Sequence, residues 1–123
     1  MNGNLVKFRG KIYKIITATL ETVDIEPYEI SPIFRNIDIR AIEDIPLTDE
    51  FFISNDYKFN SKSELFIAGD GYGPAIRKRF LDCYFGSDKI EYSVAGIVIR
   101  TVDEFQNLMN IMHCERIADK VTV

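Results

Sequence analysis

Histidine occurs once in these 123 residues, cysteine twice and tryptophan not at all. One His and two Cys are too few for the spaced four-ligand pattern of a zinc site. Two Cys are also too few for a disulfide scaffold. No apolar run approaches the ~20 residues that a membrane-spanning helix needs. The polar opening Met1-Asn2-Gly3-Asn4 does not read as a signal peptide. A basic excess is missing too. Fifteen Lys and Arg face nineteen Asp and Glu, a formal net charge of -4, which argues against general nucleic-acid binding. Two phosphate-binding patterns are absent. No G-x-x-x-x-G-K-[ST] run occurs, and the glycines at 69, 71 and 73 followed by Pro74 do not have dinucleotide-fingerprint spacing.

What is present is strand chemistry. Ile, Val, Phe, Tyr and Thr are common, while Ala and Leu are sparse. The length suits a single domain, residues 1–123. In the first 45 residues, Leu5-Val6 and Phe8, then Ile12 to Ile16 with Tyr13 and Ile15 on one face, read as strands around Gly10. Val23 and Ile25, then Ile37 and Ile39, alternate with polar residues. The expectation is a meander of about four short strands. Tyr57 to Asn60, the run "SELFIAG", and "KIEYSVAGIVI" with an Ala95–Gly96 turn or bulge add further strands.

Two helices carry start signals. Thr48 is a fitting N-cap, Asp49 and Glu50 complement the dipole, and Leu47 with Phe52 forms a hydrophobic staple. At the other end, Thr101 and Glu104 have capping-box spacing. Val102, Phe105, Leu108, Met109 and Met112 make one apolar stripe, with Asp103, Gln106, Asn107 and Asn110 mostly off it. Residues 115–123 suit a short strand or a frayed end. The fold expected is α+β: a curved antiparallel sheet or small barrel, one short helix, and a C-terminal amphipathic helix packed on it.

Several residue groups are candidates for function. Gly71, Gly73, Arg77, Lys78 and Arg79 would form an anion-binding loop if backbone N–H groups make a nest; the alternative is a turn in which glycine supplies positive φ. The acidic residues Asp24, Glu26, Glu29, Asp38, Glu43 and Asp44 would form a partner-binding surface complementary to a basic protein. His113, Cys114 and Cys83 lack a metal or catalytic pattern. Tyr13, Tyr57, Tyr72, Tyr84 and Tyr92 suit either strand interiors or a base-stacking platform. No catalytic, cofactor-binding or metal-binding residue is expected.

Three stretches carry a resemblance. "RGKIYKI" is similar to an NGKVYKV-type opening, "EDIPLTDEFFISNDYKF" to a PIPLTEEWLLKFGF-type middle segment, and "GIVIRTVDEFQNLMNIM" to a YVHQLQNLYFALTGEEL-type ending. Together they resemble a family of small uncharacterised proteins of bacteriophages and mobile elements of gut bacteria. Phe51 stands where that pattern has tryptophan. The resemblance implies a phage or mobile-element origin and strand rather than helix for residues 76–85; with so few cysteines and no signal-peptide or membrane-span pattern, the location expected is the host cytoplasm. The expected role is that of a non-enzymatic accessory protein that binds a host or phage protein, such as an inhibitor of a host defence system. The alternatives are a structural virion or self-assembling subunit, and a small-ligand or nucleotide-binding domain using the 69–79 loop.

Overall fold

In a computed structural model of the chain, residues 3–27, 33–69, 71, 73–80 and 90–123 are described. They form two compact units, Met1–Pro46 with Thr101–Asp119, and Leu47–Arg100 with Lys120–Val123. Each unit has its own antiparallel sheet, so the architecture is α+β with two sheets rather than the single curved sheet or barrel expected. Alternation tells which residues of a strand face a core. It does not tell which strands share a ladder.

In the first unit, β1 (Leu5–Phe8), β2 (Lys11–Ala18), β3 (Thr22–Pro27) and β4 (Phe34–Asp38) lie in chain order. The β1–β2 turn is Arg9–Gly10, both at positive φ (51° and 77°). That is the hairpin geometry whose twist matches the strands. Val6, Phe8, Tyr13, Ile15, Val23 and Ile25 form the core, with Phe34, Ile37 and Ile42 packed against it. The rings of Phe8, Tyr13 and Phe34 meet edge-on, with centroids 5.6 to 5.8 Å apart. Register shifts between Ile15 and Thr17 and between Val23 and Ile25 explain why period two is imperfect along these strands. Ile39, expected on a strand, opens a 3-10 turn (Ile39–Ala41), because Asp38 accepts the N–H of Arg40 at 2.9 Å and redirects the chain.

A helix, here α2 (Val102–Ile111), completes this unit with α3 (Glu115–Asp119). Thr101 Oγ1 accepts the Glu104 N–H at 3.1 Å, as the cap signal requires. Val102, Phe105, Leu108 and Met109 are buried, whereas Met112 is 37% exposed at the C-cap. Gln106 lies one turn beyond Val102 and shares the buried face at 2% exposure, contrary to its placement off the stripe. Its Oε1 accepts the Leu5 N–H at 2.9 Å, and its Nε2 donates to the Ala118 carbonyl at 3.0 Å. Asn4, also buried, donates to Asp103 Oδ1 and to Asn107 Oδ1, each at 2.7 Å. These bonds tie β1 to the helices. The helix ends with Cys114 N–H on the Met109 carbonyl (2.7 Å) and His113 N–H on the Asn110 carbonyl (3.1 Å), with His113 at φ 59°. That is a Schellman stop with histidine where glycine is usual. It lets the chain begin α3 where a strand or a frayed end was expected.

The second unit begins with α1 (Asp49–Ser54), capped by Thr48 through the Phe51 N–H at 3.1 Å. Its strands β5 (Tyr57–Asn60), β6 (Leu65–Ala68), β7 (Ile76–Phe80), β8 (Ile90–Val94) and β9 (Ile97–Ile99) again lie in chain order. Residues 76–80 are strand, as the resemblance implied; residues 81–85 lie outside the described residues. The β8–β9 turn is Ala95–Gly96, both at positive φ. Phe52 of α1 is fully buried, with ring centroids 5.0 Å from Tyr92, 5.2 Å from Phe66 and 5.8 Å from Tyr57. These contacts seat α1 on one face of the sheet. At the chain's end, the Asn55 side chain pairs with both backbone groups of Thr122 at 2.9 Å. Among the described residues no helix is long and apolar enough to cross a membrane.

Candidate functional site on the second sheet

Strand alternation splits the basic run of β7. Lys78 opposes Tyr92 on the face that carries α1, while Arg77 and Arg79 project from the other face. Lys78 Nζ lies 2.5 Å from Asp49 Oδ2, and the Tyr92 hydroxyl donates to Asp49 Oδ1 at 2.5 Å. The Lys78 ammonium is also 5.2 Å from the ring centroids of Phe59 and Phe80. Burial by itself pushes the Asp49 carboxyl up. The bonds from Lys78 and Tyr92 outweigh it and hold the group below the usual carboxylate range. Burial first, and the bond to Asp49 second, push the Tyr92 phenol well above its usual value. The trio clamps the first turn of α1 onto β7 and β8. Asp49 was read from sequence as a dipole partner and Lys78 as an anion ligand; their pairing depends on a β7–α1 contact that no local signal carries.

In the glycine loop, Gly69 N–H donates to the Asp56 carbonyl at 2.7 Å and Gly71 N–H to the Ala68 carbonyl at 3.0 Å. Gly71 has φ 75°, and a Cβ at Gly69 would come within 3.0 Å of the Asp56 oxygen. Both N–H groups are thus committed to the chain's own carbonyls. Gly73 is half-buried at the end of the turn.

The acidic candidates divide. Asp24 accepts from the Asn36 N–H (2.7 Å), Thr17 (3.1 Å) and Arg35 (3.4 Å), the first of these being the main reason its pKa is lowered. It thereby holds the irregular start of β4, where Asn36 has φ 55°. Asp38 is gripped by the Arg40 guanidinium and N–H, which lowers its pKa. Glu26 is exposed opposite Lys14. Glu43 exchanges main-chain bonds with Lys7 and, like Asp44, is exposed. Glu29 lies outside the described residues, as do Cys83, Tyr72 and Tyr84. Tyr13, Tyr57 and Tyr92 are buried, so they are core rather than a stacking platform. His113 is exposed, 3.7 Å from Glu115, and no group of three or more metal-ligating side chains gathers among the described residues. The acidic excess sits in the first unit, with seven Lys and Arg against eleven Asp and Glu. In the second unit eight face eight.

Among the described residues the face of the second sheet opposite α1 is largely exposed, with Leu65 half-buried and Ser93 buried. Across it run Lys58 beside Ile67, Leu65 beside Arg77, Arg77 beside Ser93, Arg79 beside Glu91, and Ser93 beside Val98. Ile67 is 42% and Val98 37% exposed, and Lys58, Arg77 and Arg79 stand in solvent. Strands β6 (LFIA) and β9 (IVI) are apolar on both faces, the pattern of a sheet covered on both sides. Here α1 covers one. The sequence carries this signal, but it becomes readable only once α1 has been assigned to a face. The chain matches no protein-family model, no curated protein and no solved structure.

Proposed function

We propose that the chain is a non-enzymatic accessory protein of a bacteriophage or mobile element that acts by binding another protein through the open face of its second sheet. The observation that carries this reading is the two-sided apolar character of β6 and β9, with a helix packed on one side and Ile67 and Val98 exposed on the other among the described residues. Exposed aliphatic residues flanked by arginines are the composition of a recognition surface. The mobile-element setting comes from the motif resemblance, and an inhibitor of a host defence system is the specific form the reading takes there. Affinity capture from host cells tests it. The wild-type chain is expected to retain a partner that the paired variant Ile67→Asp with Val98→Asp loses. Equal recovery by both would overturn the reading.

A further inference from the structure

We propose that the open face of the second sheet receives an acidic polypeptide segment; this rests on the protein-binding reading above and names the partner's chemistry. The eight cations and eight anions of the second unit balance, but they are not evenly placed. Asp49 spends its charge on Lys78, on the α1 side of the sheet. Arg77 and Arg79, the neighbours of Lys78 in the chain, turn to the opposite side and stay exposed on the face that carries Lys58, and among the described residues Glu91 is the acidic residue paired beside them. Among the described residues the open face therefore has a cationic surplus that the net charge of the unit conceals.

Arg77 and Arg79 are two residues apart on one strand, which sets them roughly 6.6 Å apart along it. Alternate side chains of an extended partner segment repeat at that same spacing. Carboxylates at alternate positions would meet both guanidiniums, each as a charge-assisted pair. Ile67 and Val98 supply apolar contact on strands to either side of β7. The face is small. Five strands of three to five residues, at about 4.8 Å spacing and about 3.3 Å rise, give on the order of 300 Å². A stable interface takes ~800 Å² per partner. Binding through this face alone is therefore weak, electrostatically steered and sensitive to salt.

The test uses the full chain and a fluorescent peptide of about twelve residues alternating Glu and Val, followed by anisotropy at about 50 mM and about 300 mM salt. Its Lys–Val counterpart and a single-stranded oligonucleotide are run beside it. The acidic peptide is expected to bind and the basic one not. Binding should weaken at least about tenfold at the higher salt and at least about tenfold in Arg77→Glu with Arg79→Glu, while Arg77→Lys with Arg79→Lys stays within about threefold. Ile67→Asp should weaken it too. Both arginines are exposed, and unchanged thermal midpoints confirm that the variants fold. Equal binding of the two peptides, no acidic-peptide binding, or indifference to the arginine reversal overturns the inference. If the aspartate variants abolish binding and the arginine reversal does not, docking on this face stands and the acidic partner falls. If neither set matters, both fall. Tighter binding of the oligonucleotide through the same arginines, or self-association lost on Ile67→Asp, replaces the acidic polypeptide with nucleic acid or a second copy.

Discussion

Gln106 accepts the backbone N–H of Leu5 at 2.9 Å from within the buried face of its own helix. The same side chain donates to Ala118. Replacing it with leucine keeps the volume but strands a buried N–H and a carbonyl, each costing about 1–3 kcal/mol. Gln106→Leu is expected to destabilise the chain by about 2–4 kcal/mol in urea denaturation, more than a hydrophobic substitution on a helix face ordinarily does.

Asp49 links stability to acid. Its carboxyl is held below the unfolded value near 3.9, so the unfolded chain takes up the proton first as pH falls. Its contribution is complete above about pH 5 and is lost as pH drops through the lowered native pKa. Asp49→Asn is expected to cost on the order of 1 kcal/mol at neutral pH, with the gap to wild type closing as pH falls through the lowered native pKa. A gap that stays constant from pH 7 to the acid limit would show that the Lys78 and Tyr92 bonds do not depend on the charge.

Tyr92 acts at the other end of the scale. Its native pKa is raised, so above about pH 10 the unfolded chain loses the phenolic proton while the folded one keeps it. Stability falls as pH rises through that range. Tyr92→Phe should flatten the alkaline limb of a thermal-midpoint profile, and an unchanged slope would exclude Tyr92 as its cause.

His113 occupies a left-handed position at φ 59° and is largely exposed. A side chain in that conformation costs about 1–2 kcal/mol, part of which glycine gives back as extra freedom in the unfolded chain. His113→Gly is expected to raise stability by about 0.5–1 kcal/mol. Destabilisation would mean that the His113–Glu115 contact outweighs the backbone strain.

Local physics was legible in the sequence where one segment decides the outcome. The Thr48 and Thr101 caps, the Gly10 and Ala95–Gly96 turns, and the pairing of Tyr13 with Ile15 on one face all follow from neighbouring residues. The division into two sheets was not legible, because every ladder joins consecutive strands and alternation does not mark where one sheet stops and the next begins. Gln106 was misplaced because polarity was taken for exposure. Its burial is stabilised by the Leu5 N–H, a partner 101 positions away. The 76–80 segment is a strand, paired with Phe66 on one side and Tyr92 on the other. The open face was hidden for a related reason. The apolar pattern of β6 and β9 is in plain view, but the side that α1 covers is set by the packing of Phe52.

Site-specific photocross-linking from the open face tests the docking claim most directly. Benzoylphenylalanine is placed at Ile67 in one chain and at Glu26, on the first sheet, in another, and both are irradiated in host cells. The account predicts a discrete heavier adduct from position 67 and none from position 26. An adduct from position 26 with none from position 67 would contradict it.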